Sequence, residues 1–408
     1  MANAFNIPDL LARESLRVAH EKASFIGTVD RQYDESFKAK GGSKPGDQLR
    51  VANPNQYTRT QGSRVMDVQD QTESSQTITL ATQDHVDMRF NSAELALITP
   101  DSIGDFSDRY ITPAVSALIS GIEGDFISYA TKRVYNSVGT PGTPPTDLTA
   151  VGAARAKLNQ GLAPKDGNRF VMMDSLTMGG MVNGLKGLFQ DSTQIREQYR
   201  EGMIGRTSGA DYYENERMYA HTNSSDVTGA TDAAALVTDG GATVDMHTLV
   251  ASPAVGSVFT IAGVYACHPE TKQAYSHLQQ FTILTTSASS TITVSPTIYL
   301  TGPRQNVCSS AGAQLATTDF NAKTVTFVGS ASTTYLQNLM YHKEAFQFVT
   351  ADLPLMGGTH NCARRVMDGL SLRVWFDGDI RNDELLCRID ILYGFAALRP
   401  EWACRLTN

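Results

Sequence analysis

The sequence lacks the marks of most function classes. Cysteine is scarce and odd in number (Cys267, Cys308, Cys362, Cys387 and Cys404), and no two cysteines stand at a C-x-x-C spacing. Neither a disulfide framework nor a zinc ribbon follows, and reduced thiols are the simplest reading. No apolar stretch approaches the ~20 residues that span a bilayer. The N-terminus, MANAFNIPDLLARESL, has no basic region followed by an apolar one, so no signal peptide is expected. Basic residues are outnumbered, 34 Lys and Arg against 42 Asp and Glu, for a net charge of −8. A dedicated nucleic-acid binder carries the opposite balance, so any contact with nucleic acid is expected to be loose and blind to sequence.

Catalytic patterns are missing as well. GGSKPG at 41–46 places Lys44 before the closing glycine with Asp47 after it, so the Walker pattern fails. No G-x-S-x-G, H-E-x-x-H, G-x-G-x-x-G or EF-hand spacing occurs. His360-Asn361-Cys362 could donate to a metal, but no second close pair completes a site. Asp377-Gly378-Asp379 reads as a turn rather than a calcium loop. Asp101, Asp105 and Asp108 suit the positive end of a helix better than paired acid–base work. No catalytic residue, metal or cofactor is expected.

What is present is enough apolar material, 41% of 408 residues, for two or more folded units. Residues 8–24 read as an amphipathic helix, with Leu10, Leu11, Leu16 and Val18 on its apolar side. DQLRVA (47–52) and QTITLA (76–81) alternate as strands around a long polar connection, a length that is often functional in a compact domain. Residues 105–136 form the longest helix candidate. Ile111, Val115, Leu118, Ile119, Ile122, Phe126 and Tyr129 recur there at three- and four-residue steps, and about thirty residues give roughly 45 Å. Pro113 lies in its first turn or marks a kink. Asp147 is placed to cap a helix over 148–160 that Gly161 ends. RFVMMD (169–174) reads as a buried strand, and Met178, Met181, Leu185 and Leu188 as a core-filling helical stripe.

The texture changes near Thr222. From there to about Ser332 the chain is rich in Ser, Thr, Ala and Gly, with Lys272, Arg304 and Lys323 as its basic residues. Short alternating runs at 246–251, 257–266, 280–286, 290–295 and 323–328 read as a small all-β barrel or sandwich. Mixed α/β character returns at Leu336, with strands expected at 344–350, 370–376 and 386–393. A β-module flanked by pieces of one domain is an insertion.

The most informative run is CRIDILYGFAALRPE at 387–401. Its period is that of a strand, with Cys387, Ile389, Ile391 and Tyr393 pointing one way and Arg388, Asp390 and Leu392 the other. Pro400, with no N–H to donate, stops the ladder. The combination Cys387-Arg388-Ile389, Tyr393-Gly394 and Arg399-Pro400-Glu401 closely resembles the C-terminal signature of coat proteins from short-tailed bacteriophages. EQYREGMIGR at 197–206 is similar to a second pattern of that family, through Glu197, Tyr199, Arg200, Glu201, Gly202, Ile204 and Arg206. Ala262-Gly263-Val264 is a weaker third echo.

The resemblance implies an α+β protein with the HK-97-like capsid fold: N-terminal arm, E-loop hairpin, long spine helix, central antiparallel sheet and an inserted all-β barrel-like domain. Mapped onto this chain, that gives an arm at 1–46, an E-loop at 47–82 and a peripheral domain at 83–145. An axial domain at 146–221 and 335–408 would flank an inserted domain at 222–334. It implies a major capsid protein that self-assembles through arm and E-loop contacts in hexamers and pentamers around double-stranded DNA. Scaffolding protein and portal would be its partners, with no membrane, and assembly would take place in the host cytoplasm. Arg200, Glu201 and Arg206 would pair inside the subunit or across its edge, and Arg399 and Glu401 would anchor the final strand. Lys272, Arg304 and Lys323 are the basic candidates for intersubunit pairs with Asp226, Asp232, Asp239 and Asp245 on neighbours. Other readings remain open at this level: a frayed terminus for the arm, an ordinary hairpin for the E-loop, and an enzyme or binding protein with an inserted β-domain.

Overall fold

The helix and strand periods of the sequence resolve as follows. The computed structural model describes residues 7–31, 48–62, 64–66, 68–69, 73–91, 107–185, 205–225, 228–231, 237–247, 252–286, 291–355, 362–367 and 369–408. Helices α1 (Ile7–Lys22) and α2 (Ser24–Thr28) come first. Strands β1 (Gln48–Asn53) and β2 (Ser74–Thr79) form a two-stranded sheet of their own, and β3 (Thr82–Asn91) follows. A π-helical turn (Ser107–Ile111) leads into the long helix α3 (Thr112–Arg133). Next are β4 (Ser137–Val138), α4 (Leu148–Gln160), β5 (Arg169–Met173) and α5 (Ser175–Leu185). Then come β6 (Arg206–Thr207), β7 (Ala210–Glu214), β8 (Tyr219–Thr222), β9 (Thr228–Thr231), β10 (Gly241–His247), β11 (Val258–Cys267) and β12 (Ala274–Thr286). β13 (Thr291–Ile298), β14 (Val307–Cys308), β15 (Thr324–Phe327), β16 (Thr334–His342) and β17 (Phe346–Ala351) continue the chain. It closes with β18 (Cys362–Met367), β19 (Leu370–Asp379), β20 (Glu384–Ala397) and β21 (Ala403–Thr407).

The chain divides into two units, one of Met1–Val51, Ser75–Phe126 and Phe346–Ala396, the other of Ala52–Ser74, Ile127–Ala345 and Ala397–Asn408. In the first, β17, β20, β19 and β18 lie side by side, and β3 pairs with β20 in continuous antiparallel register from Thr82↔Tyr393 to Asn91↔Glu384. Its core is aromatic. Phe126 of α3 meets Phe25 edge-on at 4.9 Å and stacks on Phe395 at 5.1 Å, while Phe348 stacks on Tyr393. α1 packs on β18 and β19 with Leu11, Leu16 and Val18 buried. Asp30 bridges to Gln347, and its backbone exchanges hydrogen bonds with Phe346 and Phe348. Buried side chains within 11–19 and 23–30 thus tie these residues to the first unit of their own chain.

In the second unit a seven-stranded sheet runs β4-β21-β16-β5-β7-β6, with β8 also on β16. It is mixed: β5 pairs parallel to β7 and β21 parallel to β4. Its other pairs, β16 with β21, β5 and β8, and β6 with β7, are antiparallel. Strands β9–β15 form another sheet in the order β12-β13-β10-β9-β15-β11, and β12 pairs again with β11. Those six strands therefore close into an antiparallel barrel, with β14 added at β11. Phe259, Phe281, Ile283, Val294, Val325 and Phe320 are among the side chains that fill it.

The spine helix is shorter than its apolar pattern suggested: 22 residues, about 33 Å. Ile111 belongs to the preceding π-helical turn, and Pro113 falls in the first turn, where its missing N–H costs nothing. No acidic residue occupies that first turn, and Asp101 and Asp105 lie outside the described residues. Helix α4 begins at Asp147, whose carboxylate accepts the Thr149 N–H at 2.9 Å, and ends at Gly161, as its sequence requires.

Candidate functional site

Strand β20 carries the signature run, and its neighbours explain most of the residue choices. Cys387, Ile389, Ile391 and Tyr393 are all buried. Burial pushes the Cys387 thiol up to about 12, so it is a packing group rather than a nucleophile. The Tyr393 hydroxyl donates to Asp84 at 2.8 Å across the β3–β20 pair. Burial first, and that carboxylate second, hold its phenol well above the ordinary range. Gly394 is fixed by space: a Cβ there would lie far inside van der Waals contact with the Thr79 carbonyl.

Asp390 was expected on the face opposite the apolar side chains, and so it is, but that face is covered too. Its carboxylate is 0% exposed and Arg373 is 7% exposed. Arg373 donates from Nε at 3.0 Å to one oxygen and from its terminal nitrogen at 2.5 Å to the other. Arg388 adds a bond at 3.2 Å and Gln83 one at 2.9 Å. The remaining Arg373 terminal nitrogen donates to the Pro354 carbonyl. The hydrogen bonds and charge of Asp390 raise the Arg373 guanidinium further above its usual value. A carboxylate saturated by three cationic and amide donors cements four segments of the first unit and offers no free oxygen for chemistry.

In the second unit Arg399 lies 4.1 Å over the Trp402 ring, and Pro400 opens the short 3-10 turn Pro400–Trp402 that redirects the chain into β21. The Trp402 indole donates to Gly161 at 2.8 Å, locking that turn onto the end of α4. Burial raises the Glu401 carboxyl above the ordinary range, its own backbone N–H and then Arg399 partly opposing this. Arg206 donates to the Gly167 carbonyl at 2.7 Å and to Asp211 at 3.3 Å, within its own unit. Glu197, Tyr199, Arg200, Glu201, Gly202 and Ile204 lie outside the described residues, as do His360 and Asn361. Asp377–Asp379 ends β19 at a tight turn, where Asp379 accepts from Arg381 and Asn382.

Four of the barrel's candidates, Lys272, Arg304, Asp239 and Asp245, are engaged within the barrel. Lys272 donates to the carbonyls of Pro303 and Gln305, and burial lowers its ammonium. Arg304 lies over Tyr299. Asp239 accepts from Leu300 and Thr301, and Asp245 from Thr291. Asp226 and Asp232 lie outside the described residues.

One key residue escaped the sequence reading. Arg405 of β21 is 1% exposed and donates to the carbonyls of Val134 and Gly256 and to the Thr282 hydroxyl at 2.6–2.9 Å. Burial lowers its guanidinium to about 9. Nothing in ACRLTN marks this arginine as buried; only the absence of any other charge in the last strand hints at it.

The model of the P22 coat protein family (gene protein 5) matches residues 59–406. The chain belongs to that family. It is a major capsid protein of a tailed phage, with the HK-97-like fold, and it forms the icosahedral shell. Similar solved structures include one from Mycobacterium phage Che8, 12% identical over 94% of this chain and 90% of that one, with a TM-score of 0.49. The capsid of Ralstonia phage GP4 is 6% identical over 93% and 87%, with a TM-score of 0.47. The capsid of an empty GTA particle is 11% identical over 95% and 89%, with a TM-score of 0.44. No curated protein matches the chain.

Proposed function

We propose that this coat protein closes its shell as hexamers and pentamers in which the β1–β2 hairpin lies on a neighbouring copy. The observation that carries this reading is at the hairpin's end. Gln69 accepts the Thr58 N–H at 2.9 Å and donates to the Thr58 carbonyl at 2.6 Å, so its side chain closes the loop as a strand partner would. Beyond that clasp Val65, Met66 and Val68 are 77–84% exposed. Three large apolar side chains held out in water at the end of a structured hairpin favour burial against another surface, at about 25 cal/mol for each Å² covered. A second copy of the chain is the occupant that a shell supplies in every orientation it needs.

The closed barrel supports reading 222–334 as an inserted domain, since β8 before it and β16 after it pair with each other. The shell would enclose double-stranded DNA without reading its sequence, as the net charge of −8 suggests. Scaffolding protein and portal would take part, assembly would occur in the host cytoplasm, and the role is structural rather than catalytic. The test is the triple substitution Val65→Ser, Met66→Ser, Val68→Ser. It is expected to leave circular dichroism and thermal unfolding unchanged while abolishing shells in electron microscopy and sedimentation. Normal shells from that variant would overturn the hairpin reading.

A further inference from the structure

A set of hydrogen bonds joins the barrel to the mixed sheet and to α3 in the same unit. Gln280 of β12 presents its amide to β4 as a strand edge would, accepting the Ser137 N–H at 3.0 Å and donating to the Ser137 carbonyl at 2.9 Å. Thr282 donates to the Lys132 carbonyl at 3.0 Å, and the same hydroxyl accepts from Arg405. Gly256, with φ +93°, is a close approach: a Cβ there would lie 2.8 Å from the Lys132 side chain. Arg405 therefore ties the C-terminus of α3 (Val134) to two points of the barrel, Gly256 and Thr282, from the last strand of the mixed sheet. Among the described residues no carboxylate pairs with it.

Several aligned N–H···O bonds from one planar guanidinium admit a single orientation. A buried charge neutralised only by carbonyl and hydroxyl dipoles is also easily upset by a second like charge. His221 of β8 is placed to supply one. It is buried, its Nε2 is 3.1 Å from the Ser257 hydroxyl, and Tyr219 and Tyr335 flank the ring at 6.0 Å. The charged groups that face it are Arg405 and Lys132, and both oppose its protonation; the Asn223 amide works the other way.

We propose that Arg405 is an orientation pin for the barrel, and that protonation of His221 beside it releases the pin. The pin is a property of the folded chain and does not depend on how copies meet in the shell. The Ser137 amide reports on it directly, because its hydrogen bond crosses the junction.

The experiment is hydrogen exchange by mass spectrometry on the full chain, comparing the segment 134–140 with segments inside the barrel strands β10 and β13. Arg405→Met is expected to speed exchange at 134–140 by tenfold or more while the barrel segments stay protected. Arg405→Lys, which keeps the charge with fewer directed donors, is expected to lie between, and it carries the test if the methionine variant does not fold. At pH 4.5 the wild type is expected to exchange faster at 134–140 than His221→Phe measured at the same pH, and the two should match at pH 7.5. Unchanged exchange in both arginine variants would overturn the pin. Identical behaviour of wild type and His221→Phe at pH 4.5 would overturn the release.

Discussion

Replacing Asp390 by Asn tests whether the C-terminal signature encodes a buried ion pair or merely a strand. The substitution keeps the size of the side chain and removes its charge. Arg373, 7% exposed, is left with the Pro354 carbonyl and an amide in place of a carboxylate. Breaking a buried pair from one side typically costs about 3–5 kcal/mol, because the remaining charge stays desolvated. The double variant Arg373→Met, Asp390→Leu removes both charges. Gln83 is exposed and Arg388 partly so, and both can turn to water, so this variant is expected to recover most of the loss. Arg388→Gln, which removes a partly solvated partner, is expected to cost under about 1 kcal/mol.

The two tryptophans, Trp375 and Trp402, fall one in each unit, so a Trp402→Phe background leaves Trp375 on β19 to report the first. In urea titrations of the unassembled chain, Asp390→Asn should lower the Trp375 midpoint by about 1–2 M, taking a slope of about 2–3 kcal/mol per M. A shift under about 0.3 M, or a double variant no better than the single one, would refute the buried-pair account.

Further outcomes are expected of single substitutions. Gly394→Ala drives a methyl into the Thr79 carbonyl and should cost about 1–3 kcal/mol in the same titration. Gly121→Ala, where an added methyl on α3 meets nothing, should stabilise by about 1 kcal/mol. Asp147→Ala removes the cap of α4 and should cost about 1 kcal/mol, read by thermal unfolding. Burial beside Arg405 holds His221 at about 4, below its ordinary 6.5. The unfolded chain therefore takes up a proton that the fold refuses, and stability falls as pH drops from 6.5 toward 4, by up to about 3 kcal/mol. Glu401, whose carboxyl is raised, works in the opposite sense, so the difference between wild type and His221→Phe isolates the histidine.

Much of this fold is written locally. The α4 helix is bounded by Asp147 and Gly161, both of which act as their residue types dictate. Alternation placed β11, β12, β13 and β20 because each has one apolar and one polar side over most of its length. Where alternation fails, so does the reading. β16, TYLQNLMYH, is buried on both sides from Gln337 onward apart from its first residues, and its polar members Asn338 and His342 blur any period. β9 and β14 are four and two residues long, too short to show one. Neither the closure of the barrel through β11 and β12 nor the parallel β5–β7 pair has any local signal, because both depend on partners far along the chain. Asp390 shows the same limit at a single residue. A period of two assigns it to a face but cannot say that Arg373, Arg388 and Gln83 will converge on that face.

The signature residues answer an older ambiguity about what such motifs record. Gly394 is there because a carbonyl occupies the place of its side chain, and Tyr393 because Asp84 accepts its hydroxyl. Arg399 covers Trp402, and Arg206 bonds the Gly167 carbonyl. Each is accounted for within its own chain. A motif of this kind constrains how one subunit folds and says little about how two subunits meet. On the hairpin reading proposed above, the surfaces for assembly belong to exposed apolar residues outside the motif. Met66 and Val68 beyond the Thr58–Gln69 clasp are such residues, and Ile380, 97% exposed at the turn between β19 and β20, is another. It follows that substitutions in 387–401 should be read out first as loss of soluble, folded chain. Substitutions at Met66, Val68 and Ile380 should be read out as folded chain that makes no shell.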